Sequence, residues 1–287
     1  MKYLLDNKKN IIIKDLDEFD LENTFECGQC FRWSKIDENI YQGIIYDKVV
    51  RICHENNDYI VSGLDILEFE NIFINYFDLN TDYKKLKKEI SLIHENLKKA
   101  CKYSTGIRIL NQDPWEALCS FIISQNNNIP RIKIIIERLC QKFGNKIYDD
   151  FYTFPSAEKL ASKSLDDLID IRCGFRDKYI LDAAQKIASG KINLENLKSL
   201  PINEARKELL KIKGVGTKVA ECELLYGLHR LEAFPIDVWM KKALCELFYG
   251  FTPEDFGKYA GLAQQYIFHY SRMNSKKLFN SHNSTEN

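Results

Sequence analysis

The chain lacks a net charge: across its 287 residues, 41 Lys and Arg face 41 Asp and Glu. Such a balance excludes a uniformly basic surface, so a polyanionic partner would have to meet a local basic face. It also lacks any run of 18 apolar residues, which excludes an ordinary membrane-spanning helix. The opening MKYLLDNKKNIIIKDLDEFD holds a short apolar patch but no small-residue cleavage site, so no signal peptide is expected. Paired cysteines are missing as well. There are nine, an odd number scattered mostly through apolar runs, which suits reduced thiols in a cytoplasmic protein. Cys27-Gly28-Gln29-Cys30 has no second pair to complete a zinc site and reads as strand and turn residues. The histidines have neither metal nor triad spacing, and no internal repeat is visible.

What is present divides into two halves of different period. Up to about residue 80 the chain is β-rich. Phe31–Trp33, Tyr41–Ile45, Val49–Cys53 and Tyr59–Val61 read as strands of an antiparallel sheet, and residues 66–76 as a helix. From Tyr83 the apolar residues recur at three and four (Leu86, Ile90, Ile93, Leu97), with lysines on the other face. The pattern predicts helix from there to Arg272, with Asp113 capping and Pro114 opening one element. The polar end after Asn274 predicts disorder.

The most informative stretch runs from Leu209 to Lys242. An apolar helix end leads into Gly214-Val215-Gly216, where two glycines permit a tight turn and close backbone approach. Thr217 is expected to cap the next helix, whose first turn carries Lys218 and whose apolar face carries Val219, Cys222 and Leu225. Helix, Gly-x-Gly turn and helix N-terminus together form an anion site. A lysine at that end opposes the helix dipole, a cost without function, but lysine is also an amine nucleophile. Asp237 follows in Phe234-Pro235-Ile236-Asp237-Val238-Trp239, placed to start a further helix.

This stretch resembles the helix-hairpin-helix GPD family of DNA base-excision glycosylases. GVGTKVAEC followed by PIDV is similar to its 8-oxoguanine DNA glycosylase branch. The resemblance runs from about Gly28 to Phe268 and is densest from Gly106 onward. It implies an α+β protein: an N-terminal antiparallel β-sheet domain (TBP-like) over residues 1–100, then an all-helical glycosylase core over 101–273. The hairpin falls at about 205–228, and a disordered tail at 274–287.

The family's nucleophilic lysine falls on Lys218 and its aspartate on Asp237. The matching glycine, Gly28, would offer its carbonyl to the N7–H that 8-oxoguanine has and guanine lacks. Gln264 would bind the Watson–Crick edge, with Phe268 and Cys222 on the two faces of the base. In Ser124-Gln125-Asn126-Asn127-Asn128-Ile129-Pro130-Arg131, Asn126 and Arg131 would meet the cytosine left unpaired. In Gly174-Phe175-Arg176, Phe175 stands where tyrosine is more usual and would wedge into the stack, while Arg176 would read the cytosine. Gly214 and Gly216 would hold a DNA phosphate. Trp239 replaces a backbone-contacting histidine of eukaryotic relatives, leaving only a neutral donor. Read without the resemblance, Gly28 is more readily a turn glycine and Phe175 a core residue at a helix end, and the asparagines are an ordinary helix–helix loop.

The implied activity is excision of 8-oxoguanine opposite cytosine through a Lys218 Schiff base, followed by β-elimination. Double-stranded DNA with oxidised guanine is the implied partner, for a monomer in the cytoplasm of a bacterium or archaeon. Cofactors implied are none, beyond a monovalent cation at the hairpin carbonyls. A same-fold glycosylase for another damaged base, a non-catalytic hairpin DNA-binding protein and a protein-interaction scaffold stay open at this point.

Overall fold

Six strands form one antiparallel sheet in the computed structural model, which describes residues 1–279. They are β1 (Lys2–Leu5), β2 (Ile11–Lys14), β3 (Trp33–Asp37), β4 (Ile40–Ile45), β5 (Lys48–Glu55) and β6 (Asp58–Ser62), in the order β1-β2-β6-β5-β4-β3. Alternation sets the buried face: Ile11 and Ile13 on β2, Val50 and Ile52 on β5, and Val61 on β6 point into one core. A continuous helical run over residues 66–76 closes that face with Phe69, Phe73 and Tyr76. The apolar patch of the first 14 residues is therefore two strands. Their short length hides the period of two from a sequence reading.

Helix α1 (Leu21–Glu26), which the sequence reading missed, is capped by Asp20 and leads directly to Cys27 and Gly28. The other helices that place the site are α2 (Tyr83–Ile90), α3 (Glu95–Tyr103), α4 (Pro114–Ser124), α5 (Ile129–Phe143), α6 (Asp177–Ala188), α7 (Ile202–Leu209), α8 (Thr217–Cys222), α9 (Val238–Leu247) and α10 (Ala260–Met273). Their buried faces make a second core. Into it α2 and α3 also send Leu86, Ile90, Leu97 and Ala100. By packing, those two helices join the helical unit rather than the sheet with which the sequence grouped them. Arg32, on the loop before β3, pairs with Glu116 on α4 at 3.1 Å and donates to the Tyr152 carbonyl, fastening sheet to helices.

Two expectations need correction. The core is not wholly helical, because Lys146–Tyr148 and Phe151–Tyr152 pair as a small hairpin after α5. Its turn is Asp149-Asp150, with Asp149 at φ 42°, a conformation that stops a helix. The expected disordered tail begins with a short helix, Ser275–Phe279, whose Phe279 is buried. The rest of that expectation lies outside the described residues. No helix among the described residues is long and apolar enough to cross a membrane.

Candidate active site and nucleic-acid interface

Lys218 enters the site because α8 starts at a glycine. Gly216, not Thr217, is the N-cap: its backbone is extended, and no side chain accepts from the first helical N–H groups. Nothing lies within 4 Å of where a Gly216 Cβ would be, and Gly216 and Thr217 are exposed, so the start of the helix is open to an anion. Gly214 has φ +80°, and a Cβ there would come within 2.3 Å of the Tyr179 ring on α6. Glycine thus lets the hairpin turn lie against the segment that carries Phe175 and Arg176. The Lys213 N–H donating to Asp182 at 2.7 Å holds the same contact.

Asp237 is brought opposite by a second set of ties. Glu221, one turn after Lys218 and 5% exposed, pairs with Arg206 of α7 and accepts the Phe234 N–H at 2.8 Å. The chain then runs through Pro235 to Asp237, whose Oδ1 accepts the Met240 N–H at 2.8 Å as the N-cap of α9. That bond satisfies one carboxylate oxygen and fixes the direction of the other.

These elements enclose a cavity of about 50 Å³ walled by Cys27, Gly28, Phe121, Lys218, Cys222, Tyr226, Pro235, Asp237, Gln264 and Phe268. Gly28, Lys218, Asp237 and Phe268 are its half-buried members and mark its mouth. The space holds a few waters but not a purine, so a base enters only as a wall shifts. Gln264 is 4% exposed, and its Oε1 is buried with no hydrogen-bond partner. Lys218 Nζ lies 3.4 Å from Ser124 Oγ and 5.2 Å from the centroid of the Phe121 ring. Burial pushes the Cys222 thiol up, and the neighbouring Lys218 side chain pulls it only partly back, so it stands in the cavity as a neutral thiol.

Gly28 has φ +84°, open to glycine and strained for other residues. Three buried amide side chains hold it. Gln29 donates to the Thr24 and Arg108 carbonyls and accepts the Leu110 N–H. Gln112 donates to the Gln29 carbonyl at 2.8 Å, and Gln265 to the Cys27 carbonyl at 3.2 Å.

The second group of sequence-selected residues lies at the end of α4 and the start of α6. Asn126 is exposed with φ +49°, Arg131 is exposed on α5, and Asn128 caps α5. Phe175 is 50% exposed, with the Arg176 guanidinium 4.4 Å from its ring centroid. Arg176 differs from expectation. It is 5% exposed, and its N–H groups go to the carbonyls of Gln125, Asn126 (2.9 Å) and Cys173 (3.0 Å). Here it braces the asparagine loop. Trp239 is half-buried on α9 beside the exposed Val238.

Residues 11–118 match the model of the 8-oxoguanine DNA glycosylase N-terminal domain, and residues 119–255 that of the HhH-GPD superfamily of base-excision DNA repair proteins. The N-glycosylase/DNA lyase of Saccharomyces cerevisiae is 33% identical over 258 residues, 78% of this chain and 67% of that protein. The chain belongs to the 8-oxoguanine DNA glycosylase family. Among solved structures, the Clostridium acetobutylicum 8-oxoguanine glycosylase/lyase, in complex with double-stranded DNA containing cytosine opposite 8-oxoG, is 39% identical. It aligns at a TM-score of 0.91 over 96% of this chain and 99% of that one. MBOgg1 in complex with a low-affinity DNA ligand is 43% identical at 0.90, over 96% and 100%.

Sequence reasoning passed over several side chains that build this glycosylase site. Glu221, Gln29, Gln265 and Ser124 act on partners far away in the chain, so no local spacing betrays them. The one available signal was a carboxylate or amide falling on the apolar face of a helical pattern, as Glu221 and Gln265 do.

Proposed function

We propose that this chain excises 8-oxoguanine paired with cytosine, working as a monomer, since one copy carries every residue the reaction uses. The enzyme is a DNA glycosylase with lyase activity that acts on double-stranded DNA. A base inside the stack is out of reach, so the lesion is extruded into the cavity. Lys218 Nζ, as the free amine, forms a bond to C1′ while the C1′–N9 bond breaks. Its electron pair leaves with the purine, which takes up a proton. Loss of an amine proton and opening of the sugar ring give a Schiff base. Removal of a C2′ proton then breaks the C3′–oxygen bond and cuts the strand on its 3′ side. Asp237 stabilises the positive charge that builds on the sugar as the base departs.

One observation carries the choice of substrate: the partnerless Gln264 Oε1, buried in the same cavity as Lys218, Asp237 and Gly28. A buried acceptor without a donor is costly, and a guanine-type Watson–Crick edge brings N1–H and N2–H donors to it. The Gly28 carbonyl then separates 8-oxoguanine from guanine by accepting N7–H. Phe175 is the wedge that enters the stack and kinks the duplex. Asn126 and Arg131 meet the orphaned cytosine, on a loop that Arg176 braces. The exposed N–H groups at Gly216 take a DNA phosphate, so binding weakens with added salt.

Single-turnover excision on a panel of duplexes tests this reading. The panel holds 8-oxoguanine opposite each of the four bases, an alkylated purine and an oxidised pyrimidine. The 8-oxoguanine:cytosine duplex should react fastest. Comparable rates on the alkylated purine would overturn the substrate assignment.

A further inference from the structure

The last turn of α4 touches both halves of the site. Ser124, its final residue, lies 3.4 Å from Lys218 Nζ, and the next two residues, Gln125 and Asn126, give the carbonyls that hold Arg176. The direction of the serine proton is fixed. Ser124 donates its hydroxyl to the Phe121 carbonyl at 2.8 Å, so only its lone pairs remain for the lysine. This matters for an amine nucleophile. A hydroxyl donating to the amine would cover the lone pair that has to attack, whereas a hydroxyl accepting an amine N–H leaves that lone pair uncovered. The Phe121 ring, 5.2 Å away from Nζ and stacked on Tyr226, bounds the amine on another side. A separation of 3.4 Å is long for a hydrogen bond, as such contacts often are before substrate tightens them.

We propose that Ser124 is a positioning residue for the nucleophile, and that through the Gln125–Asn126 backbone it couples the base opposite the lesion to the placement of Lys218. When cytosine seats on the Asn126 loop, the end of α4 is held, and Ser124 Oγ holds the amine in line with C1′. When another base fails to seat, the helix end is less constrained and so is the amine. The inference rests on Lys218 being the nucleophile.

The test compares Ser124→Ala and Ser124→Thr with the unaltered enzyme in single-turnover base release, on 8-oxoguanine opposite cytosine and opposite adenine. DNA affinity and melting temperature are measured alongside. Ser124→Ala should slow release opposite cytosine by about 10- to 100-fold, the scale of a misplaced reacting group, with DNA affinity unchanged. Its preference for cytosine over adenine should shrink, and Ser124→Thr, which keeps the hydroxyl, should restore most of both. An unchanged rate in Ser124→Ala would overturn the positioning role, and an unchanged cytosine preference would overturn the coupling. Equal losses in both variants with a lowered melting temperature would assign Ser124 to fold support and also overturn the proposal. The parent reading fails separately, if the unaltered enzyme gives no borohydride-trapped adduct. An adduct that forms as fast with Ser124→Ala as without it counts against this inference alone.

Discussion

The lesion cavity and the asparagine loop sit at two ends of one helix turn, yet they are built differently. The cavity is walled by side chains fixed through buried polar ties, such as Glu221 to Phe234 and Gln265 to Cys27. It is small and keeps an acceptor waiting on Gln264. The loop exposes Asn126 at positive φ and is held by Arg176 together with the side chains of Asn127 and Asn128. The difference teaches that the backbone carrying Lys218 and Asp237 is tied in place by buried bonds, although the slot between them must still widen for a base, while Asn126 stands on an exposed loop. A preorganised site costs no reorganisation during the reaction, and a loop can adapt to a base that has first to be exposed.

Changes on the cavity side should therefore cost far more than equal changes on the loop side. Lys218→Gln should abolish both strand nicking and covalent trapping while leaving DNA affinity close to normal, measured by gel and by titration. Asp237→Asn should slow base release by on the order of 10²–10³, the cost of losing one preorganised electrostatic partner. Undiminished turnover would remove Asp237 from the mechanism. Gly28→Ala puts a side chain at φ +84°, a strain of roughly 1–2 kcal/mol. It should lower the ratio of 8-oxoguanine to guanine excision, because the carbonyl that separates them is displaced.

The smallest effect is expected beside the loop. Burial raises the Asp177 carboxyl to about 6, and its Oδ1 has no hydrogen-bond partner; Cys173 and Arg176 face it and pull the other way. A folded-state value above the unfolded one means that the folded protein binds the proton more tightly. Its ionisation therefore subtracts stability as pH rises from about 4 through 6. Asp177→Asn should raise the melting temperature at pH 8 and leave it nearly unchanged below pH 4. An equal rise at both would refute the assignment to burial.

How much of this was legible follows from distance along the chain. Lys218, Asp237 and Gln264, which line one cavity, were selected because the stretches that carry them resemble the family's, and caps such as Asp113 and Asp237 betray helix starts locally. The sheet core was readable from its period of two, except where β1 and β2 have four residues each. The bracing contacts of Arg176 were not legible because the carbonyls it serves on Gln125 and Asn126 lie about 50 residues upstream. Thr217 was taken for a cap because threonine prefers that position. The structure gives it to Gly216, so no side chain caps the first N–H groups of the helix.

The central claim is that the Lys218 amine is the atom that bonds to the sugar. Borohydride reduction during turnover on an 8-oxoguanine:cytosine duplex, followed by proteolysis and mass mapping of the attached peptide, tests it most directly. The account predicts a deoxyribose remnant on the peptide containing Lys218 and no adduct with Lys218→Gln. A remnant on another amine, or one persisting in Lys218→Gln, would contradict it.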